Sequence, residues 1–193
     1  NEAAFILEQG SKIEKIDNLI KDFGMPMGPF TLADTVGVDV GYKVACILNE
    51  AYGNRMPIAS IIEKMYDAKL FGAKTEAGFY EYAGRDIYPN AHVTPMLENN
   101  NKIIEDEEIV QRCLYIMINE ASRCLEENIV TDASIIDFAM ITGTGFPAYK
   151  GGLLTYANEV GLKNILESLQ DFEKVYGDRF KPSNLLVKLV ENY

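Results

Sequence analysis

The sequence predicts an all-α protein built as a tandem repeat of two helical units. Three observations carry that expectation. Apolar residues recur at three- and four-residue spacing along most of the 193 positions. Glycines punctuate the pattern where helices would need to stop. Several short stretches of the first half return, in the same order, in the second.

Residues 1–9 read as the end of a helix closed by Gly10, since glycine enters the left-handed conformation that terminates helices. Ser11, Lys12, Ile13 and Glu14 spell a capping box, with serine accepting from helix amides and glutamate returning to the cap amide. The helix it opens carries Ile13, Ile16, Leu19 and Ile20 on one face and stops at Gly24. Pro29 suits the first turn of a short helix ending at Gly37. Further helices are expected over about 38–52 and 57–70, closed by Gly53 and Gly72. Only Gly78, Phe79, Tyr80, Glu81 and Tyr82 look extended. From Gly84 to Asn101 the periodicity fails, and Pro89, Pro95 and Asn99-Asn100-Asn101 read as a linker. A long helix over about 105–128 follows, then shorter ones near 132–142, 152–160, 162–176 and 182–192, with Pro182 in a first turn.

The repeat is specific. Asn1-Glu2-Ala3 returns as Asn119-Glu120-Ala121, Ile16-Asp17 as Ile136-Asp137, Gly24-Met25-Pro26 as Gly145-Phe146-Pro147, and Ala33 to Gly37 as Ala157 to Gly161. The offset drifts from 118 to 124, as small loop insertions would produce. Two copies are therefore expected, over 1–100 and 103–193, packed about a pseudo-twofold axis. In the second copy the long helix begins well before its Asn-Glu-Ala. The first copy opens on that tripeptide without a methionine, so the chain reads as an N-terminally truncated fragment.

Composition narrows the function. With 18 Lys+Arg against 29 Asp+Glu the formal net charge is −11, which argues against nucleic acid or an anionic membrane surface. No apolar run is long enough to span a bilayer. Three cysteines without a C-x-x-C fit reduced thiols in an intracellular protein.

Phe23-Gly24-Met25-Pro26-Met27-Gly28-Pro29-Phe30, followed by Leu32-Ala33-Asp34, Val36-Gly37 and Asp39, resembles the C-terminal domain of L-3-hydroxyacyl-CoA dehydrogenases. Lys74-Thr75-Glu76-Ala77-Gly78-Phe79-Tyr80-Glu81-Tyr82 is similar to the family's Lys-Thr-Gly-x-Gly-Phe-Tyr-x-Tyr motif, departing at Glu76. The second copy, with Gly143 to Pro147 and Gly151-Gly152-Leu153, is similar to the degenerate second unit of multifunctional fatty-acid oxidation enzymes. The resemblance implies a 6-phosphogluconate dehydrogenase C-terminal-like fold. It also implies a role in NAD-dependent oxidation of 3-hydroxyacyl-CoA to 3-ketoacyl-CoA in β-oxidation. NAD would be bound by an upstream domain that supplies a His–Glu pair, and an enoyl-CoA hydratase domain and a thiolase subunit would accompany it. A bacterial cytoplasmic location is expected, with mitochondrial and peroxisomal ones open. The family's substrate-positioning Asn stands in Ile-Val-Asn-Arg-x₆-Asn-Glu-Ala. Gln111 occupies that position in the second copy, and the first copy's Asn would lie eight residues before Asn1. The expectation is that no catalytic residue lies in this chain.

Other candidates were weighed on their chemistry. His92, the only histidine, sits in the Pro- and Asn-rich stretch with no acidic neighbour to orient it. A lone histidine with Cys46, Cys113 and Cys124 makes no zinc set, and buried thiols are expected. Gly143-Thr144-Gly145-Phe146-Pro147-Ala148 matches the short dinucleotide fingerprint, but helical spacing precedes it, so an interhelical turn is expected. Glu107, Glu108, Glu126 and Glu127 read as charge at helix ends. Phe79, Tyr80 and Tyr82 read as packing rather than base stacking. The apolar turn Met25, Pro26, Met27, Gly28, Pro29 and Phe30 is both a packed connection and, by resemblance, the wall of an acyl-CoA cleft. A non-enzymatic helical assembly module and a stand-alone acyl-CoA-binding module remain as alternatives.

Overall fold

The computed structural model describes residues 1–97 and 102–192. The Asn99-Asn100-Asn101 part of the expected linker lies outside the described residues. Among the described residues, ten α-helices make up most of the structure. They are α1 (Glu2–Glu8), α2 (Ile13–Phe23), α3 (Pro29–Val36), α4 (Val38–Tyr52), α5 (Ser60–Asp67), α6 (Asp106–Glu126), α7 (Ala133–Thr144), α8 (Leu153–Val160), α9 (Leu162–Tyr176) and α10 (Asn184–Glu191). The chain divides into two compact units, Asn1–Phe23 with Met27–Val110, and Gly24–Pro26 with Gln111–Tyr193.

In the first unit the glycine stops behave as the sequence requires. Gly10 has φ 112°, and the Ser11 amide reaches back to the Ile6 carbonyl at 3.3 Å to close α1. Gly37, at φ 106°, ends α3 with its amide on the Ala33 carbonyl and lets α4 begin one residue later. The core gathers Ile6, Leu7, Ile16, Phe30, Ile61, Met65 and Phe79.

In the first unit two expectations need correction. The helix expected over 57–70 is only α5, because the side chains of Asn1, just before α1, and of Glu8, at its end, hold its entry. The Asn1 amide donates to the Pro57 carbonyl at 2.5 Å and accepts from the Ala59 amide at 3.1 Å, keeping 57–59 extended. Glu8 then caps α5 through the Ser60 hydroxyl at 2.8 Å and the Ile61 amide at 2.7 Å. The segment expected to be a linker from Gly84 begins instead with a strand. β1 (Tyr80–Ala83) pairs antiparallel with β2 (Asp86–Pro89), Tyr80 opposite Pro89 and Ala83 opposite Asp86. Every residue of β2 is exposed, so no apolar alternation marks it in the sequence. Asn90 anchors the return: it is 2% exposed, and its side chain donates to the Gly78 carbonyl at 2.7 Å.

The second unit repeats this logic with its own residues. Asn119 donates to the Lys181 carbonyl at 2.9 Å and accepts from the Ser183 amide at 2.8 Å. Glu126 accepts from the Asn184 side chain at 2.6 Å and the Leu185 amide at 3.3 Å. Pro182 therefore precedes the helix rather than opening it, and Ser183 is the cap, accepting from the Leu186 amide at 3.1 Å. The Asn184 side chain also draws the Glu126 carboxyl below its ordinary pKa. Ile165, Leu166, Leu169, Phe180 and Leu186 form the core. Arg112 is buried with them and lies 3.8 Å from the Tyr176 ring centroid.

Candidate functional site

The apolar turn after α2 is held by a buried carboxylate. Asp17, 1% exposed, accepts from the Phe30 amide at 2.8 Å, the Thr31 amide at 2.9 Å and the Thr31 hydroxyl at 2.7 Å. These are first-turn donors of α3, which a helix leaves unpaired. The Tyr80 hydroxyl adds a fourth bond at 2.9 Å. Burial first, then the Asp17 charge, push that phenol well above its ordinary pKa. Gly28 is required at this crossing because a Cβ there would stand 2.2 Å from the Asp17 carboxyl carbon. Phe30 is buried with its ring 4.4 Å from that of Phe79.

A second buried carboxylate, Asp34, ties the β1 segment to α3. Phe79 and Tyr80 donate their amides to it at 2.9 Å each, and the Tyr82 hydroxyl donates at 3.1 Å. Burial outweighs these bonds and raises the Asp34 pKa. A raised folded value means that its contribution to stability is full below the unfolded pKa of about 3.9 and is lost as pH rises through the folded value. Asp39 runs the other way: its hydrogen bond to Lys74 lowers its pKa, so its contribution is lost as pH falls through the folded value. Carboxyl-resolved NMR titration is expected to place Asp34 above, and Asp39 below, the ordinary range. The reverse order would show that burial does not control Asp34.

The six turn residues thus separate. Gly28 and Phe30 are buried in the first unit, with Pro29 half-buried at the first position of α3. Met25 and Pro26 group with the second unit, where Pro26 lies against Gly145. Pro26 and Met27 are exposed, Met27 to 36%. His92 is exposed in the turn after β2, its amide on the Asn90 side chain at 2.8 Å. Cys46, Cys113 and Cys124 stand outside any disulfide and are half-buried, less enclosed than expected. Among the described residues no cluster of His, Cys, Asp and Glu is arranged to hold a metal, and no helix is long and apolar enough to cross a membrane.

The glycine-rich stretch near 143 is the end of α7. Gly145 takes the left-handed conformation, φ 71° and ψ 25°, and the Phe146 amide closes on the Met140 carbonyl at 3.1 Å. A helix, α7, and not a strand leads into it, so these residues do not fit a dinucleotide. Glu76 also has a left-handed backbone, φ 58° and ψ 4°, which costs a non-glycine residue about 1 kcal/mol.

In the sequence Asp17 and Asp137 stand out only as part of the repeat. The second unit uses Asp137 as the first uses Asp17, accepting from the Leu154 amide at 2.6 Å, the Thr155 amide at 3.1 Å and the Thr155 hydroxyl at 2.7 Å. Gly152 matches Gly28, a Cβ there meeting Asp137 at 2.3 Å. An aspartate on one helix that takes up the free first-turn donors of the next, with a glycine where they cross, occurs once in each unit.

Among the described residues, each unit is thus a set of carboxylate-locked helices, and the first also carries the β1–β2 hairpin. The family "3-hydroxyacyl-CoA dehydrogenase, C-terminal domain" matches residues 1–82 and again 109–193. The chain belongs to that family.

Among curated relatives, the fatty acid oxidation complex subunit alpha of Shewanella frigidimarina is 37% identical over 201 residues, covering 100% of this chain and 28% of that protein. The same subunit of Vibrio cholerae is 38% identical, covering 97% of this chain and 27% of its own length. The chain thus spans little more than a quarter of these relatives. The dehydrogenase part of multifunctional enzyme 1 from C. elegans superposes with a TM-score of 0.70 at 25% identity, covering 97% of this chain and 44% of that one. The 3-hydroxybutyryl-CoA dehydrogenase of Escherichia coli K12 shares the fold with a TM-score of 0.77 at 20% identity, covering 99% of this chain and 57% of that one.

Proposed function

We propose that the chain is the C-terminal portion of an NAD-dependent L-3-hydroxyacyl-CoA dehydrogenase of the multifunctional fatty-acid oxidation type. The observation that carries this reading is the family match, which occurs twice in one chain similar over its length to alpha subunits of fatty acid oxidation complexes. In the parent, an upstream domain would hold NAD, whose chemistry when bound is hydride acceptance, and would supply the proton-accepting side chain. This chain braces that domain and closes the acyl-CoA cleft, with the exposed Pro26 and Met27 turned to the substrate. Met25, Gly28, Pro29 and Phe30 position them. α4 supports the bracing role, because it exposes Val40, Val44, Ile47 and Leu48 in an apolar stripe of the kind a neighbouring domain covers. A hydratase domain and a thiolase subunit complete the assembly, in a bacterial cytoplasm.

Two measurements test this. The 193-residue chain alone is expected to form no NADH from 3-hydroxyacyl-CoA and NAD; turnover by it would overturn the placing of the catalytic groups elsewhere. In the parent, Met27→Asp is expected to raise KM for 3-hydroxyacyl-CoA about fivefold or more with kcat within about twofold, the pattern of lost uniform binding. The isolated chain should keep its unfolding midpoint, since Met27 is exposed. An unchanged KM would remove the turn from the cleft.

A further inference from the structure

The first unit shows what its cradle is built to hold. Asp34 takes the amides of Phe79 and Tyr80, the Val38 amide donates to the Phe71 carbonyl at 3.1 Å, and Lys74 bonds Asp39 beside Gly37. The Tyr66 ring lies 5.8 Å from that of Phe71. Among the described residues the second unit repeats the cradle and leaves it open. Asp34, Gly37, Val38, Asp39, Met65 and Tyr66 correspond, 124 positions on, to Asn158, Gly161, Leu162, Lys163, Leu189 and Val190. Those six residues line a groove of about 590 Å³. Asp34 and Met65 are buried, whereas Asn158 is exposed and Leu189 is 38% exposed. A Cβ on Gly37 would collide with Lys74, while one on Gly161 would meet only Asn164 of its own helix.

We propose that this groove receives an extended segment of the parent polypeptide lying outside residues 1–193, carrying an acidic side chain where the first unit has Lys74 and an aromatic pair where it has Phe79 and Tyr80. The acid follows from Lys163, which reverses the sign of Asp39. That reversal disfavours the 70–83 segment of a second copy, because its Lys74 would face Lys163. Asn158 offers an acceptor oxygen and a donor nitrogen where Asp34 offers only acceptors, so it takes an amide and a carbonyl of the incoming backbone. The first unit fills its cradle from its own chain, which avoids the entropy of bringing two molecules together. The source rests on the reading that this chain belongs to a longer parent, as relatives of which it spans 28% imply.

The groove chemistry is tested on the 193-residue chain by ¹⁵N NMR titration with a synthetic copy of Leu70–Ala83 and with its Lys74→Glu version. The Lys74→Glu peptide is expected to shift Asn158, Gly161, Leu162 and Val190 and to bind about fivefold tighter at low salt than the unsubstituted peptide. Lys163→Glu in the protein should reverse the preference. No shifts up to about 1 mM, or equal affinities, would overturn the proposal. The source is tested by amine acylation read by mass spectrometry. Lys163 should react about fivefold or more slowly in the purified parent than in the chain, with Lys174, 73% exposed on the same helix, unchanged. Equal rates, or protection only when a second protein is bound, would overturn the assignment to the parent's own chain. A parent that protects Lys163 yet forms no NADH would sink the dehydrogenase reading and leave the groove assignment standing.

Discussion

Asp17→Ala is expected to destabilise the first unit by about 4 kcal/mol, the loss expected when several buried donors are deprived of one shared acceptor. The size follows from the number of donors stranded. Two backbone amides, the Thr31 hydroxyl and the Tyr80 hydroxyl all end on this one side chain, which is 1% exposed. Each buried donor left unsatisfied costs about 1–3 kcal/mol, and water entering the space of the lost carboxylate recovers part of it. Asp137→Ala removes the same three bonds from α8 but no tyrosine, at a site 8% exposed, so a smaller loss of about 2 kcal/mol is expected. Asp17→Asn should fall between wild type and alanine. Its amide nitrogen must replace one oxygen, and the arrangement that spares Oδ2 points it at the Phe30 amide. Urea unfolding of the 193-residue chain, followed by a probe in each unit, measures all three. Equal losses for Asp17→Ala and Asp137→Ala would show that Tyr80 contributes nothing to the lock.

Helix ends were readable in the sequence because glycine acts locally. α9 spans the expected 162–176, and Gly10, Gly24, Gly37 and Gly53 end helices where expected. What the sequence hid acts over distance. The donors to Asp17 lie 13, 14 and 63 residues away, and those to Asp34 lie 45, 46 and 48 away. No local pattern distinguishes such an aspartate from a solvated one. The two misplaced helix starts, at Pro57 and Pro182, share a cause. A proline at a first turn and a proline just before a cap look alike until Asn1 and Asn119 are seen holding the preceding backbone. The signal available was the repeat itself: Asn1 and Asn119, Asp17 and Asp137, and Glu8 and Glu126 all recur with equivalent roles. Of the candidate site, the turn was found through its glycine and prolines. Its division into buried Gly28 and Phe30 and exposed Pro26 and Met27 was not, since an apolar turn of six residues has no periodicity to reveal a face.

Gly28→Ala is expected to cost about 3 kcal/mol, for reasons of space alone. Its backbone, φ −72° and ψ 161°, is extended and suits alanine as well as glycine. The obstacle is Asp17, whose carboxyl carbon would stand 2.2 Å and whose Cα 2.4 Å from the new methyl. A side chain can swing aside, but a Cα moves only with α2. The helices must therefore part, and in parting they lengthen the bonds from Phe30 and Thr31 that define the lock. Gly41→Ala provides the contrast. It lies inside α4 with nothing within 4 Å of the added methyl, so the better helix former should gain about 1 kcal/mol. A Gly28→Ala loss smaller than about 0.5 kcal/mol would mean that α2 and α3 are not held at this distance. In the parent the two kinds of turn substitution should also part company. Met27→Asp alters only what the turn presents, so it moves KM at an unchanged melting temperature. Gly28→Ala alters how the turn is held, so melting temperature and kcat/KM should fall together.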